Sequence, residues 1–508
     1  MKLNTKTRRL LAAAGISLAA GSFNASAQEV PLPLPVDPFS LRFLGLTAPN
    51  LPLHAVPAHI TLYENLIKVI RAGHYAKDRV DALNDLIDQN RSAVALKTKT
   101  PAEALNEILG KLDPHSRVVT TKEVPNLRTE MSGWRATGMD LQMSDKGAEV
   151  YSVSYKSMAR KAGILEGDVI ISVNGEALAG LSPDKAAELM CGAARKKLRV
   201  VVNRKDAPMP VSVDVTCEFQ RAHSVHARVI EHNIGYVRVD RFTDGSYIDV
   251  NAVLSEMENT KQYKITGYIL DFRNNPGGFV NDAYGIMDDV LDTDQPMMRT
   301  LGRDGDRPVN AKLGDITKGK PIIVLVNGGA FSASEMVASA LQHFKRARIY
   351  GTNTGGKGSM QQHMYFDDAG NLTGFGQTST VMLAYTSNIY MTPDGKSAQL
   401  DGVVVDVEVP GTYIAPDAPQ PERDSPNALP NPNGRLNDFS ERLRPVHQCV
   451  PDSSTQQWLS HLKAPDGTAD LALMCAVKDL IPSVNIVKTV PVAGMPEKQK
   501  LRASAVHP

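Results

Sequence analysis

The sequence predicts an α/β protein of several domains, in which helices cover a largely parallel sheet. Three observations lead to this class. The chain has 508 residues, more than the roughly 100–200 residues of one domain. Between about 233 and 412, short apolar strands alternate with amphipathic helices, which is the pattern of a parallel sheet with helical crossovers. Helical periodicity also marks regions near both ends of the chain.

The alternating stretch supplies the elements of this sheet. Its helices carry apolar residues at helical spacing, and its strands are short apolar runs. The strands are "IGYVRVD", "ITGYILDF", "KPIIVLVNG" and "ARIYG", and the helices are "IDVNAVLSEMEN", "VNDAYGIMDDVL" and "ASEMVASALQHF". We therefore expect one sheet whose strands are joined by helices.

The chain begins with a pattern typical of a secretory signal peptide. A cationic stretch around Arg8 and Arg9 precedes a short apolar run, and Ala25-Ser26-Ala27 fits a cleavage site. The apolar run of about 11 residues is shorter than the roughly 20 that span a bilayer. We expect export, cleavage near Ala27 and a periplasmic protein.

Composition and periodicity divide the rest of the chain. A proline-rich lead precedes helical periodicity, and six prolines between Pro416 and Pro432 indicate an extended linker. The predicted parts are a signal peptide (1–27), a proline-rich lead with a helical N-terminal region (28–130), a second module (131–205), an α/β core (206–412), a proline-rich linker (413–435) and a helical C-terminal region (436–508).

Charge and cysteine content narrow the functional classes. The formal net charge is +1 and basic blocks are absent from the sequence, so we expect no nucleic-acid partner. The four cysteines form two neighbouring pairs in the sequence, and both pairs are separated by 26 residues: Cys191 with Cys217, and Cys449 with Cys475. In an oxidising compartment this spacing favours two local disulfides, although buried free thiols remain an alternative. We expect no metal and no organic cofactor.

The 131–205 module has a distinct pattern of turns. A short helix, a Gly167-Asp168 turn, the strand "VIISV" and an Asn174-Gly175 turn follow one another. A helix with Pro183 in its first turn and a closing strand "KLRVVVNR" complete it. The pattern is that of a compact, strand-rich domain.

Ser332 is the first candidate for chemistry, because it lies between a predicted strand and a predicted helix. Ser332-Ala333-Ser334-Glu335 is a capping box, so Ser332 has a structural interpretation as a helix cap. The start of a helix also exposes a serine oxygen beside unpaired amides that stabilise a developing oxyanion. The position fits both a cap and a nucleophile.

Lys357, in "GTNTGGKGSMQ", is the second candidate. The stretch resembles a phosphate-binding loop, but Gly358 stands where that motif needs a hydroxyl, and the following residues predict a strand. A serine nucleophile needs a base, and Ser-Lys pairs supply one when burial lowers the lysine pKa. His363 is the alternative base, while His343 lies too far along the helix from the serine.

These segments together resemble the carboxyl-terminal processing, or tail-specific, serine proteases. The segments that carry the likeness are "SASE", "GKGSMQ", "LDPHS", "ILDFRNNPGG" and "YMTPDGKSAQLDGVVVDVEV". The 131–205 module resembles the PDZ domain found inside these enzymes. Phe331 and Gly356 depart from the residue types usual in the family. The resemblance implies a ClpP/crotonase-like α/β protease core with an inserted PDZ domain.

The resemblance also implies roles for individual residues. Ser332 attacks the scissile carbonyl, Lys357 takes its proton, and Gln361 orients the lysine. The amides of Ala333 and of Gly277 or Gly278 form the oxyanion hole. The PDZ carboxylate loop consists of Thr137, Gly138, Met139, Asp140 and Leu141.

The implied activity is that of an exported serine endopeptidase in protein quality control or in turnover of envelope and cell-wall proteins. Its expected substrates are unstructured or misfolded proteins with apolar C-terminal tails. A helical-repeat lipoprotein adaptor is a candidate partner because some relatives use one, and a homo-oligomer is compatible with the sequence. The alternative is a catalytically weak scaffold that binds tails without cutting them.

Overall fold

The structure, a computed structural model, describes most of the chain after the leader. The described residues are 56–120, 134–153, 157–190, 196–205, 207–220, 224–291, 296–312, 314–373, 379–433, 447–464, 466–481 and 490–491. Within these ranges, none of the helices combines the length and the hydrophobicity needed to cross a membrane. The predicted signal peptide and its cleavage site lie outside the described residues.

The N-terminal region is helical, as its periodicity predicts. Its elements are α1 (Ala58–Gly73), α2 (Lys77–Asp81), α3 (Asn84–Ala95), α4 (Pro101–Leu112) and β1 (Arg117–Thr120). Thr100 caps α4 in a complete capping box with Glu103, and Pro101 occupies the first turn. The predicted apolar faces are buried: Leu66 and Leu105, for example, are both 0% exposed.

The second module is a seven-stranded sheet with two short helices. Its elements are β2 (Trp134–Ala136), β3 (Met139–Ser144), β4 (Gly147–Val153), α5 (Met158–Ala162), β5 (Val169–Val173), β6 (Glu176–Ala177), α6 (Pro183–Met190), β7 (Lys196–Asn203) and β8 (Val211–Gln220). The strand order is β2-β8-β7-β5-β4-β3, with β6 beside β5.

The sheet of this module continues past the predicted boundary at residue 205. Strand β8 pairs with β7 in antiparallel register, from Lys196 opposite Cys217 to Val202 opposite Val211. Removing β8 would expose one edge of β7, so the module's sheet ends near Gln220. The pattern "VSVDVTCEF" alternates as a half-buried strand should, which is consistent with its place in this sheet.

The core contains two sheets. Its elements up to the lysine loop are β9 (Val225–Ile230), β10 (Ile234–Val239), α7 (Ser246–Asn259), β11 (Gly267–Asp271), α8 (Val280–Val290), β12 (Pro296–Gly302), β13 (Gly305–Asn310), β14 (Ile322–Val326), α9 (Ala333–His343) and β15 (Ala347–Gly351). They are followed by β16 (Ser359–Phe366), β17 (Leu372–Thr373), β18 (Val381–Met391) and β19 (Val407–Glu408).

The main sheet confirms the predicted parallel strands. Strands β10, β11, β14 and β15 pair in parallel and in that order, with β19 parallel to β15 and β9 antiparallel at the other edge. Helices α7, α8 and α9 cover one face through a single apolar cluster. The first turn of α9 therefore lies beside the ends of the central strands, which is where ligands bind in open α/β sheets.

The second sheet joins the N-terminal region to the core. Strand β18 pairs with β16 along one edge. Along its other edge, β12 covers the part from Asn388 to Met391, and β1 covers Val381 to Ala384. The helical region is thus hydrogen-bonded into the sheet that follows the lysine loop.

The C-terminal region covers the second face of the main sheet. Its elements are β20 (His447–Gln448), α10 (Ser453–Trp458), α11 (Leu471–Asp479) and β21 (Val490–Pro491). Strand β20 extends the sheet beside β19, and α11 packs its apolar residues against the inward side chains of β11, β14 and β15. The region is therefore part of the core's architecture.

The cysteines form disulfides where the structure describes them. Cys449 and Cys475 are bonded with an S–S distance of 2.05 Å, and Cys217 is also disulfide-bonded. Its expected partner, Cys191, lies outside the described residues.

The predicted proline-rich linker is packed on the protein through residue 433. Glu422 and Leu429 are 2% and 1% exposed, and Gln399 Nε2 donates hydrogen bonds to Glu422 Oε1 and to the Leu429 carbonyl at 3.1 and 3.0 Å. Arg79 donates to the carbonyl of Asn427 at 2.7 Å. Prolines keep this segment extended, but side chains from other regions satisfy its carbonyls, so it does not act as a free linker.

A buried ion pair connects the core to the C-terminal region. Arg273, after β11, donates to both carboxylate oxygens of Asp470 at 2.7 and 2.9 Å and to Asp271 Oδ1 at 2.9 Å. Asp271 and Asp470 are 1% and 5% exposed. Asp470 is also the N-cap of α11, so the arginine fixes the start of that helix.

We predict that Arg273→Ala lowers the free energy of unfolding by about 3–5 kcal/mol, because it leaves two buried carboxylates unpaired. Urea titration followed by tryptophan fluorescence tests this, since Trp458 belongs to the affected region. Arg299→Ala is the matched control: its pair with Asp306 is 41% and 29% exposed, so we expect a change of less than about 1 kcal/mol. Equal losses in the two variants would contradict the prediction.

Candidate active site

The turn after β14 places Ser332 at the first turn of α9 with a strained backbone. Asn327 shapes the turn: its Oδ1 accepts hydrogen bonds from the amides of Asn274 and Gly329 at 2.8 and 3.0 Å. Ser332 is the N-cap residue with φ 54° and ψ −114°, and it is 9% exposed. A positive φ is rare for a serine and costs about 1–3 kcal/mol, and such residues are concentrated at functional sites.

The interpretation of Ser332 as a helix cap explains its hydrogen bond to Glu335 but not its backbone angles. The Ser332 amide donates to Glu335 Oε2 at 2.7 Å, which is the Glu335 half of the predicted capping box. An ordinary N-cap residue, however, has an extended backbone. The strained dihedral angles resemble instead the sharp strand-to-helix turn that exposes a nucleophile.

The lysine loop packs directly on the serine turn. A Cβ atom added to Gly355 would lie 2.0 Å from the ring of Phe331, so only glycine allows this contact. The Gly355 amide also donates to the Ala330 carbonyl at 3.0 Å. Phe331, an unusual residue for the position before the serine, therefore occupies space that the glycine-rich loop leaves open.

The amine of Lys357 has two acceptors inside the protein. Lys357 Nζ donates to the Ser359 carbonyl at 2.8 Å and to Gln361 Oε1 at 2.7 Å. Burial of the amine lowers the pKa of Lys357 to about 8, although Glu422, Glu335 and Asp113 act in the opposite direction. With this pKa, the amine is uncharged in roughly a tenth of the molecules at pH 7 and in about half of them at pH 8.

The orientation of Gln361 is fixed by hydroxyl groups. A β-bulge between Met360 and Gln361 shifts the register, and Gln361 then lies opposite Thr386 of β18. Gln361 Nε2 donates to Thr386 Oγ1 at 3.0 Å and to Ser359 Oγ at 3.2 Å. These two acceptors turn the amide nitrogen away from Lys357, so that the amide oxygen faces the lysine amine.

Glu335 holds the serine turn and the lysine loop on one carboxylate. It is 0% exposed, and its Oε2 accepts from the amides of Ser332 and Lys357 at 2.7 and 2.9 Å. Its Oε1 accepts from the Gly356 amide at 2.7 Å and from Thr354 Oγ1 at 2.6 Å. Burial raises the pKa of Glu335 to about 7, and these four donors oppose the shift.

Tyr390 also joins the serine turn to the lysine loop, through the backbone carbonyl groups of Ser332 and Lys357. Its hydroxyl lies 2.9 Å from the Lys357 carbonyl oxygen and 3.2 Å from that of Ser332. Tyr390 is 1% exposed. The sequence indicates Glu335 only as part of a capping box and Tyr390 only as the first residue of a segment that resembles the family, without a role; Tyr390 lies 58 residues from Ser332.

The glycine turn after β11 lies against the serine. A Cβ atom on Gly277 would stand 2.8 Å from Ser332 Cβ and 3.1 Å from the Ala333 amide nitrogen. The Gly277 amide donates to Asn275 Oδ1 at 2.9 Å, so it is used within the turn. Of the two glycine amides predicted as alternatives, that of Gly277 is therefore already engaged.

His363, the alternative base, lies two residues beyond Gln361 on β16. Its side chain is exposed, and it stands opposite Ala384. Burial of part of the ring, together with Arg117 and Lys357, lowers the pKa of His363. In the described residues, groups of His, Cys, Asp and Glu arranged to hold a metal ion are absent.

The predicted carboxylate loop opens the PDZ-like module. Thr137 is 5% exposed and its carbonyl accepts from the Ala159 amide at 2.9 Å. Gly138 has φ 81°, and Met139 and Leu141 lie at the start of β3. The side chain of Asp140 lies outside the described residues. Strand β3 is the terminal strand in the described order of its sheet, which leaves an edge for an added peptide strand.

Comparison with known proteins gives separate matches for the α/β core and for the second module. The model of peptidase family S41 matches residues 233–409, and a PDZ domain model matches residues 149–204. The carboxy-terminal-processing protease of Bartonella bacilliformis is 34% identical over 310 residues, which cover 60% of this chain and 68% of that protein. The carboxy-terminal processing protease CtpA of Bacillus subtilis is 27% identical over 331 residues, 64% of this chain and 68% of that protein.

A solved structure of a photosystem II D1 C-terminal processing protease has 24% identity and a TM-score of 0.43, and covers 70% of this chain and 93% of that chain. The two family matches define a peptidase core with an embedded PDZ domain. The chain belongs to peptidase family S41, among the carboxy-terminal processing proteases. The predicted family and fold class are thereby confirmed.

We predict that Glu335→Gln lowers both stability and turnover. An amide offers one acceptor oxygen where the carboxylate offers two, so at least one of the four donors faces an NH2 group. The expected loss is about 1–3 kcal/mol of unfolding free energy and at least tenfold in kcat. Thermal unfolding and steady-state kinetics measure the two effects.

Glu188→Gln, on the exposed side of α6, removes the same charge and should change neither quantity. A Glu335→Gln protein with the kcat of the unmodified protein would contradict the role of Glu335 in joining the two loops.

Proposed function

We propose that the protein is a peptidase in which Ser332 is the nucleophile and Lys357 is the general base. Gln361 helps to orient the lysine. The supporting observation is that two buried side chains, Glu335 and Tyr390, bind the backbones of both the serine and the lysine. The two residues come from different loops, 25 positions apart, yet they share both supports. A structural cap and a solvated loop lysine would not require this arrangement.

The hydrogen bonds of the lysine are compatible with a base. An uncharged amine has two N–H groups and one lone pair. The Ser359 carbonyl and Gln361 Oε1 accept both N–H groups, which leaves the lone pair for the proton of the serine hydroxyl. After attack on the scissile carbonyl, the resulting ammonium group donates that proton to the leaving amine.

The negative charge that develops on the substrate oxygen needs donors that are already in place. We propose the amides of Gly278 and Ala333 for this role. Ala333 is the first residue of α9, where the helix dipole favours negative charge. Losing one such donor typically costs about 10²–10³ in rate.

The PDZ domain supports selection of protein substrates at their C-terminal tails. We propose that a tail adds to the edge of β3 and that its carboxylate binds the 137–141 loop. Met139, Leu141 and Met143 are partly buried apolar residues on this strand, which favours apolar tails. An adaptor of the helical-repeat lipoprotein type and a homo-oligomer remain compatible with this role.

The cellular setting follows from the N-terminal sequence. We propose that the signal sequence directs the chain to the periplasm and that cleavage occurs near Ala27. Disulfide-bonded Cys449, Cys475 and Cys217 are typical of an oxidising compartment. Recognition of exposed tails suits quality control and envelope protein turnover.

Substitution of the three candidate residues separates this function from its alternatives. We expect Ser332→Ala and Lys357→Ala each to abolish cleavage of an unfolded protein substrate, while His363→Ala retains most activity. Cleavage is followed by gel electrophoresis and by release of new amino termini. If the chain is a tail-binding scaffold, the unmodified protein and Ser332→Ala will show the same negligible cleavage. If His363 is the base, Lys357→Ala will remain active.

The pH dependence tests the lysine directly. A base must be uncharged, so kcat/KM should rise about tenfold per pH unit up to about 8 and then level, in line with the lowered pKa of Lys357. Glu335, whose pKa is about 7, is already ionised at that point. Gln361→Glu places a carboxylate beside the amine and favours the ammonium form. The rising limb of the profile of kcat/KM against pH should therefore move to higher pH by about 1–3 units.

The adjacent residue offers a matched control for this substitution. Gln362 accepts a hydrogen bond from Tyr385 at 2.6 Å, so its side chain is engaged away from Lys357. Gln362→Glu adds the same charge and should leave the limb near pH 8. Similar shifts in both variants would indicate a general charge effect and would contradict the assignment of the limb to Lys357.

A further inference from the structure

Hydrogen bonds to the side chain and to the backbone of Thr386 connect Gln361, the partner of the lysine, to the N-terminal region. This hydrogen-bonded chain begins with Gln361, whose Nε2 donates to Thr386 Oγ1 at 3.0 Å. The Thr386 amide donates to Ser116 Oγ at 3.0 Å, and Ser116 Oγ donates to Asp113 Oδ2 at 2.6 Å. The same carboxylate oxygen lies 2.8 Å from His74 Nε2.

The donors and acceptors in this chain have fixed directions. His74 Nδ1 accepts from the Ala76 amide at 3.1 Å, so Nε2 carries the proton shared with Asp113. Asp113 also accepts from the amides of His115 and Ser116 at 2.8 and 2.9 Å. Because the carboxylate uses the proton of the Ser116 hydroxyl, a lone pair of that oxygen faces the Thr386 amide.

The members of this chain beyond Gln361 are buried. His74 and Thr386 are 0% exposed, Asp113 is 1% exposed, and Ser116 is 6% exposed. The N-terminal region holds Thr386 on both sides, since the Tyr75 amide donates to the Thr386 carbonyl at 2.8 Å. A buried polar cluster of this kind is costly unless each group is paired. Apolar residues would have joined the two regions equally well, so the polar residues suggest a further role.

We propose that His74, Asp113, Ser116 and Thr386 are positioning residues for the lysine. They act through Gln361: a fixed Thr386 hydroxyl keeps the Gln361 amide nitrogen turned away, and the amide oxygen then faces Lys357. If the amide rotates by half a turn, its NH2 group donates to the lone pair that the serine proton needs. Asp113 and its partners lie outside the stretches matched by the S41 and PDZ models, so this part of the site comes from the helical N-terminal region.

This inference rests on the proposed roles of Ser332 and Lys357, and a double-mutant cycle tests it separately. We expect Ser116→Ala to lower kcat about 10- to 100-fold, the effect of a small misplacement of a catalytic group, with little change in KM. In the Gln361→Ala background, the same substitution should lower kcat less than about twofold. The four positioning residues, here called the relay, then have no Gln361 amide to orient.

A merely structural role predicts a different outcome. Destabilisation by Ser116→Ala would lower kcat by the same factor in both backgrounds, and that result would overturn the proposal. A Gln361→Ala protein with full activity would overturn it as well, while the losses caused by Ser332→Ala and Lys357→Ala would still support the proposed function. Activity in those last two variants would instead overturn the proposed function.

A second pair of variants covers the case in which Ser116→Ala does not fold. Thr386→Val keeps the shape but removes the hydroxyl that Gln361 contacts, and should lower kcat to the same extent. Thr386→Ser restores the hydroxyl and should recover most of the activity. Thr380→Val, at the far end of the β16–β18 pairing, is the control and should leave kcat unchanged. Equal kcat in Thr386→Val and Thr386→Ser would refute the relay.

Discussion

One buried carboxylate determines how the two halves of the candidate site meet. Glu335 receives four hydrogen bonds, two at each carboxylate oxygen; three come from backbone amides and one from the Thr354 hydroxyl. Its partners belong to the serine turn and to the lysine loop, which follow different strands of the main sheet. A carboxylate can accept several donors at once, and in a dry environment each of these bonds is strong. The position of the serine relative to the lysine therefore depends on an interaction that contacts neither reacting atom.

The outer parts of the chain complete this arrangement. The N-terminal region supplies β1 to the free part of β18, and this strand pairing brings Ser116 to Thr386. The segment after residue 412 adds Glu422, whose carboxylate bonds to Gln399; Gln399 in turn accepts from the Gly358 amide at 2.8 Å. The two segments that support the lysine loop, the N-terminal region and the segment after residue 412, are thus remote from it in sequence. A protease core cut at 206–412 would lose these supports.

Local patterns in the sequence are sufficient to predict the parallel strands and the helices between them, because hydrophobic periodicity marks each element. Local motifs also indicate Ser332 and Lys357 as candidates for the chemistry, whereas Gln361 follows from the resemblance to the family. The supports could not be identified in this way. Thr386 lies 270 residues from Ser116, and Glu422 lies 307 residues from His115, so only the tertiary fold brings these residues together. The packing of the proline-rich segment differs from the predicted free linker for the same reason, since composition predicts extension but not tertiary contacts.

The charges around Lys357 explain why so many supports are needed. Glu422, Glu335 and Asp113 all favour the ammonium form, yet burial dominates and the pKa still falls to about 8. Each of these carboxylates is bonded to other donors: Asp113 to His74 and Ser116, Glu422 to His115 and Gln399, and Glu335 to four groups. Because these carboxylates favour the ammonium form, burial of the amine is what lowers the pKa of Lys357. A base is most effective when its pKa is close to the working pH, so the proposed role of Lys357 depends on the segments that pack around it and keep its amine buried.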